Sequence, residues 1–392
     1  MVSKKDIAAV VVTTIVALAG FELFLEHVAR IKPVPSGWGW AASPRRLLSK
    51  STGDAEANQL GYRGQPIQYG KDDYVVVLVG DSQVEAASEP LDKMPERLLE
   101  AELASRMGRP VKVFSLAASG WGQDQQLQAL DRYLKDWRAD MVLAWATPGN
   151  DFWENTFADR SATVVAGPIK PTFLVKDDRL DGPYYAASFY YGGYAITQLM
   201  AEVYGKAKNK PVAQMISDAW KTRLPIRPRS TSPSCAQYPK ADQQALLTSG
   251  DRYSLSDKYR MESLEDLAAS KTHYAPYMLP QTEMDDYQRR LTGLLLAQIK
   301  DVSGQHGAKM KVFYITKKLP SHTIVCVGTD QGGWFTVDRN FDAVMSKIVP
   351  KEDLINIPVE GGKEVNVSDA DRHLSTIGNQ RAMTGLAAEL TR

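Results

Sequence analysis

Ser82, Gly120, Asn150, Asp371 and His373 are residue types that can act together in acyl transfer. A serine hydroxyl is a weak nucleophile and needs an adjacent base, in practice a histidine oriented by a carboxylate. The sequence holds five histidines. His27 ends an apolar N-terminal stretch, His306 falls in a helix-to-strand turn, and His273 and His322 lie in or beside irregular segments. His373 alone stands two residues from a carboxylate on a loop that follows a late strand. The oxygen of a tetrahedral intermediate also needs donors aimed at it. The backbone N–H groups of Ser82 and Gly120 and the side-chain amide of Asn150 would make three.

Each residue has an ordinary role to set beside this one. Ser82 could cap the helix that follows it, the commoner use of serine after a turn. Gly120 and Asn150 are both common turn residues. His373 could cap the last helix, and Asp369 and Asp371 could be acids favoured by the helix dipole. Joint placement tips the balance toward chemistry, because the groups arrive in order, each after a strand or before the final helix.

The elements that must position them are legible as a pattern. Tyr74–Gly80 is an unbroken, mostly β-branched apolar run, as expected for a parallel strand buried on both faces. Gly80 suits a sharp turn out of that strand. Leu91 to Met107 has helical spacing and stops at Gly108-Arg109-Pro110. Val111–Phe114 is a second strand, Gln123 to Trp137 a helix, and Met141–Ala146 a third strand. The rhythm returns with a helix from Glu283 to Ser303, strands at Lys309–Ile315 and Asp353–Ile357, and a closing helix from about Ile377 to Leu390. Strand and helix alternating in this way predict an α/β fold with about five parallel strands covered on both sides. The expected organisation is an anchor at 1–29, a tether at 30–70, and an α/β domain at 71–392 with an insertion at about 155–280.

Lys4 and Lys5 precede an apolar stretch from Ile7 to Leu25, long enough for one transmembrane helix. Lysine ahead of it favours a cytoplasmic N-terminus. Ala17-Leu18-Ala19 resembles a signal-peptide cleavage site, but Phe21, Leu23, Phe24 and Leu25 carry the apolar run past it. An uncleaved anchor is expected, and on either reading the rest of the chain is exported. The formal net charge of +1 supplies no global field for nucleic acid. Cys235 and Cys326 make no metal-spaced cluster, though in an oxidising compartment they could pair.

Residues 155–280 hold aromatic clusters (Tyr184, Tyr185, Phe189, Tyr190, Tyr191, Tyr194), a helix near Ile196 to Val203, and a Pro-rich basic stretch from Lys221 to Pro233. Lys206, Lys208, Lys210, Lys221, Arg223, Arg227 and Arg229 face one acid, Asp218. The expectation is a solvated surface, with a rim for an anionic chain or lipid headgroups as the functional alternative.

The series Gly80-Asp81-Ser82, Gly120, Gly149-Asn150-Asp151 and Asp371-x-His373 resembles the four blocks of SGNH (GDSL-type) hydrolases. More narrowly, three segments are similar to the membrane-anchored SGNH proteins found with bacterial envelope polysaccharide genes. These are Leu60-Gly-Tyr-Arg-Gly64, Gly120-Trp-Gly-Gln-Asp-Gln-Gln-Leu127 and Asp371-Arg-His-Leu-Ser-Thr-Ile-Gly-Asn379. The resemblance covers roughly 58–155 and 280–391 and leaves out the insertion. It implies a three-layer α/β/α sandwich (flavodoxin-like) around five parallel strands. It also implies Ser82 as nucleophile, Gly120 and Asn150 completing the oxyanion hole, His373 as general base and Asp371 as its orienting partner. Many members space the last block Asp-x-x-His, whereas here position 370 is Ala. Asp371 is expected to support the base, with Asp369 as the other choice.

The activity so implied is a serine esterase, anchored in the membrane with its domain in the periplasm or outside the cell. It would act on O-acyl, most simply O-acetyl, groups of an envelope carbohydrate, or on a small acyl ester. No metal or nucleotide cofactor is called for. An O-acyltransferase using the same acyl-serine is the close alternative, with room for a membrane acyltransferase or polysaccharide-assembly partner. Two others are a catalytically idle scaffold subunit and an esterase that faces lipid through the aromatics of 184–194. Such aromatics are more often core.

Overall fold

A computed structural model describes residues 3–29, 56–159, 170–185, 195–208, 212–227, 268–317, 324–328, 334–338, 340–368, 371 and 373–392. In chain order the elements begin with helix α1 (Lys4–His27), strand β1 (Tyr74–Gly80), the short helix α2 (Ser82–Glu85), α3 (Pro95–Met107) and β2 (Val111–Ala117). Next come α4 (Gln123–Leu134), β3 (Met141–Trp145), α5 (Asp151–Thr156), β4 (Pro171–Lys176), β5 (Arg179–Tyr185), α6 (Ala195–Ala207) and α7 (Val212–Lys221). The chain finishes with β6 (Met278–Leu279), α8 (Glu283–Gln305), β7 (Lys309–Lys317), β8 (Ile324–Gly328), β9 (Trp334–Asp338), α9 (Phe341–Met345), β10 (Leu354–Val359) and α10 (Thr376–Leu390).

Five strands form one all-parallel sheet in the order β10-β7-β3-β1-β2. The alternation of β1 divides the core between two faces. Val75, Val77 and Val79 pack with Leu127, Leu130 and Tyr133 of α4 and Leu291, Leu295 and Ile299 of α8. Val76 and Leu78 pack with Leu98, Leu99 and Leu103 of α3 and Ala382, Met383 and Leu386 of α10. This is the three-layer α/β arrangement expected from the sequence. From β1 the chain steps outward to β2, then crosses back to β3 and continues through β7 to β10. The carboxyl ends of β1 and β3 therefore flank the point where the winding reverses, which is where open α/β sheets take ligands.

Element ends follow local chemistry. Helix α3 starts at Pro95, a residue whose missing N–H costs nothing there, rather than at Leu91. Gly108 ends it in the left-handed region at φ 60. Strands β4 and β5 form an antiparallel hairpin, and β6, β9 and β8 a small antiparallel sheet. Neither was anticipated. Helix α7 carries part of the basic stretch, yet it buries Met215, Ser217 and Trp220. The Trp220 indole donates to the Thr156 carbonyl at 3.0 Å. Phe189, Tyr190, Tyr191, Tyr194, Lys210, Arg229, Cys235 and His322 lie outside the described residues, as does the Cys326 side chain.

The segment 56–67, assigned by sequence to the tether, packs into the domain. Leu60, Tyr62 and Ile67 are buried in the core, with Tyr62 edge-on to Trp121. The Glu96 carboxylate, fully buried, accepts from the N–H groups of Gln65 at 2.6 Å and Ser115 at 2.8 Å. Gly64 stands at φ 151, where a Cβ would come within 2.6 Å of a Glu96 oxygen. Burial pushes Glu96 up to about 7, against the bonds that favour its ionised form. Between the ordinary carboxylate range and about 7 the folded protein holds a proton that the unfolded chain has released. The stability this gives is full below the lower limit and is lost as pH rises through the upper, about 3 kcal/mol in all. Urea unfolding at pH 5 and pH 8 should show a larger loss of stability for the parent than for Glu96→Gln. Equal losses would exclude Glu96 as the source.

Candidate active site

Ser82 comes two residues after the end of β1 and opens α2, which Asp81 caps. The Asp81 carboxylate accepts from the Gln83 N–H at 2.9 Å, so the capping role considered for Ser82 belongs to its neighbour. The same holds at the other end of the chain. Ser375, not His373, caps α10, accepting from the Gly378 N–H at 3.3 Å. Ser82 and His373 are thereby left to each other. His373 Nε2 lies 2.7 Å from Ser82 Oγ, and His373 Nδ1 lies 2.5 Å from Asp371 Oδ1. Asp371 Oδ1 also accepts from the His373 backbone N–H at 3.0 Å, which fixes the carboxylate relative to the ring. Asp369 lies outside the described residues.

The loop carrying His373 is tied to the serine turn by Gln83, whose side chain accepts from the Leu374 N–H at 3.2 Å. The side chains of His373 and Asp371 are each 40 % exposed, so the line opens to solvent. Lys317, at the end of β7, is pushed down to about 8 by burial, although the Asp371 charge pulls the other way.

The expected oxyanion donors stand at the ends of adjacent strands. Gly120, after β2, is buried with φ 75, a conformation open to glycine and strained for other residues. The backbone N–H groups of Ser82 and Gly120 meet no acceptor among the described residues. Glu85 holds the Gly120 loop, its carboxylate accepting from the Ser119 N–H at 2.8 Å. Burial raises Glu85, while that bond and the nearby Arg63 oppose the rise. Asn150, after β3, donates to Asp81 Oδ2 at 3.4 Å, linking the first and third blocks. Asp81 is fully buried, and desolvation raises it above the ordinary carboxylate range. Asp151 accepts from the Thr147 N–H at 2.7 Å and from the Gln123 amide at 2.5 Å, joining the third block to α4. Burial, with the Asp81 charge added, raises Asp151 well above its usual value.

Arg63 was not anticipated. Its guanidinium, 2 % exposed, donates to the carbonyls of Glu85 at 3.0 Å, Ala86 at 2.6 Å and Glu89 at 2.6 Å, and pairs with Glu56 at 3.0 Å. It closes the far end of the serine helix, where Ala86 takes φ 44. His273, set aside by sequence, reaches the Gly149 carbonyl with Nδ1 at 3.0 Å and stands edge-on to Trp153. The end of the insertion thus packs against the Asn150 turn. A recess of about 350 Å³ on the β4–β5 hairpin is lined by Lys176, Asp181, Tyr184, Arg223 and Tyr287 among others, none of them from the Ser82 group.

No family model matches the chain. No curated protein matches it either. Among solved structures it is similar to the lipase Lip_vut3 from a goat rumen metagenome, at 11% identity and a TM-score of 0.35, over 80% of this chain and 96% of that one. A likeness so remote bears on neither substrate nor mechanism.

Proposed function

We propose that the chain is an exported SGNH-type serine esterase, held in the membrane by α1, that removes O-acyl groups from an envelope carbohydrate. The supporting observation is the contact line from Ser82 through His373 to Asp371. In this reading His373 takes the Ser82 proton as Oγ attacks the ester carbonyl, forming a tetrahedral oxyanion. The N–H groups of Ser82 and Gly120 and the Asn150 amide would donate to the charge that develops. Collapse expels the sugar alkoxide, which takes the proton back from His373 and leaves an acyl-Ser82 ester. Water, activated by the same base, then releases the acid. A sugar hydroxyl in place of water would give transfer, and the solvent-open His373 side chain admits either. A membrane acyltransferase or assembly partner fits the transfer variant. The envelope-carbohydrate substrate rests on the resemblance of the Leu60–Gly64, Gly120–Leu127 and Asp371–Asn379 segments.

The test uses the full chain in detergent with an O-acetylated polysaccharide, following acetate by proton NMR. Release of acetate is expected, together with labelling of Ser82 by a fluorophosphonate. A folded sample that neither releases acetate nor takes the label would favour an idle scaffold.

A further inference from the structure

Helix α6, in the insertion, carries Met200, Val203 and Tyr204 at the spacing that puts three side chains on one face. That face is bare: Met200 is 65% exposed, Val203 61% and Tyr204 54%. Its position gives the exposure a meaning. The Ile196 N–H at the start of α6 donates to the Glu22 carboxylate of α1 at 2.9 Å. Leu25, three residues further along α1, is buried although nearly all of that helix is exposed. Helix α6 therefore begins at the end of the apolar stretch Lys4–Leu25, whose mean hydropathy of 2.3 and length suit a membrane span.

We infer that α6 lies in the outer membrane–water boundary, with Met200, Val203 and Tyr204 in lipid, giving the domain a second contact beside its anchor. The inference rests on the membrane-spanning reading of α1. Two features favour lipid over a protein partner. The first turn of α6 touches α1 through Ile196 and Glu22, and on α1 Phe21, Leu23 and Phe24 are themselves exposed, so both helices in contact carry bare apolar side chains. The next turn of α6 carries Lys206, with Lys208 just beyond and its ammonium 5.8 Å from the Tyr204 ring. An amphipathic tyrosine and two lysines beside an apolar stripe match the headgroup layer and its anionic lipids. In this arrangement the apolar side chains enter about 5–10 Å below the headgroups.

The full chain, with Cys235→Ser and Cys326→Ser, is reconstituted in vesicles of phosphatidylethanolamine and phosphatidylglycerol. Single cysteines at Met200, Val203, Val12 and Lys135 then carry a nitroxide, and collision with oxygen is compared with collision with a water-soluble nickel chelate. The expected result is an oxygen-to-nickel ratio at 200 and 203 shifted toward that of 12 and away from that of 135. Ratios at 200 and 203 equal to that at 135, with position 12 in lipid, overturn the inference and leave the anchor standing. A water-exposed position 12 overturns both. Protection of 200 and 203 from both reagents, with spin–spin broadening, assigns the face to a second copy of the chain and overturns the lipid contact.

Discussion

Ser82→Ala should lower release of p-nitrophenol from its acetate ester by about 10⁴-fold or more while leaving the fold unchanged. The size of the effect follows from what the hydroxyl does. In the proposed mechanism no acyl-enzyme forms without Oγ, and only the oxyanion donors and substrate binding would remain to accelerate attack by water. The fold should survive because Asp81, not Ser82, caps the helix, and among the described residues Ser82 Oγ bonds only to His373. His373→Ala should cost about as much, and the double substitution little more, since the two act as a unit. A Ser82→Ala protein that keeps its activity would end the acyl-serine mechanism. Equal loss of the near-ultraviolet dichroism would instead mean that the substitution had disturbed packing.

A second large effect is expected far from solvent. Lys170 pairs with Asp124, and both side chains are 0 % exposed. Burial pushes Lys170 down and Asp124 up, and each charge opposes the shift of its partner. Asp124 also accepts from the Gln125 N–H at 2.9 Å, and Lys170 immediately precedes β4 within the insertion. Lys170→Met leaves a buried carboxylate without its cation, which costs about 3–5 kcal/mol. Adding Asp124→Asn removes the orphan charge and should recover a large part of that loss. Urea denaturation of the three proteins decides it: if the double variant is no more stable than Lys170→Met, the cost comes from packing and not from charge.

How far the sequence could be read depended on what kind of bond holds each part. Strand β1 was legible because a strand covered on both faces shows an unbroken apolar run. The helices α3, α4, α8 and α10 were legible through their spacing, with ends displaced by a few residues. The site residues stood out because serine, glycine, asparagine and histidine each follow a strand or precede the last helix. Their supports did not. Gln83, Glu85 and Arg63 look like ordinary polar residues, and only folding shows that they bind the backbone of neighbouring loops. The segment 56–67 reads as tether in the sequence for the same reason. Its order comes from side-chain-to-backbone bonds, such as Asn58 accepting from the Leu60 and Tyr62 N–H groups, which leave no periodic trace. The β8–β9 hairpin passed unnoticed between strands of the main sheet, although Gly332-Gly333 lies between its two short runs.

If α1 anchors the chain as proposed, the Arg63 clamp sets where the domain can be cut free without harm. The guanidinium that closes the serine helix belongs to the stretch joining the anchor to the first strand. Scission before Glu56 would free a domain with that ion pair and its three carbonyl bonds intact. Scission just past Arg63 would keep all five strands but remove Leu60 and Tyr62 from the core and strip the donor from the turn behind Ser82. On that proposal, release of an intact domain and damage to the Ser82 turn are separated by the short distance from Glu56 to Arg63, and a form begun at Tyr74 would fall on the wrong side of it.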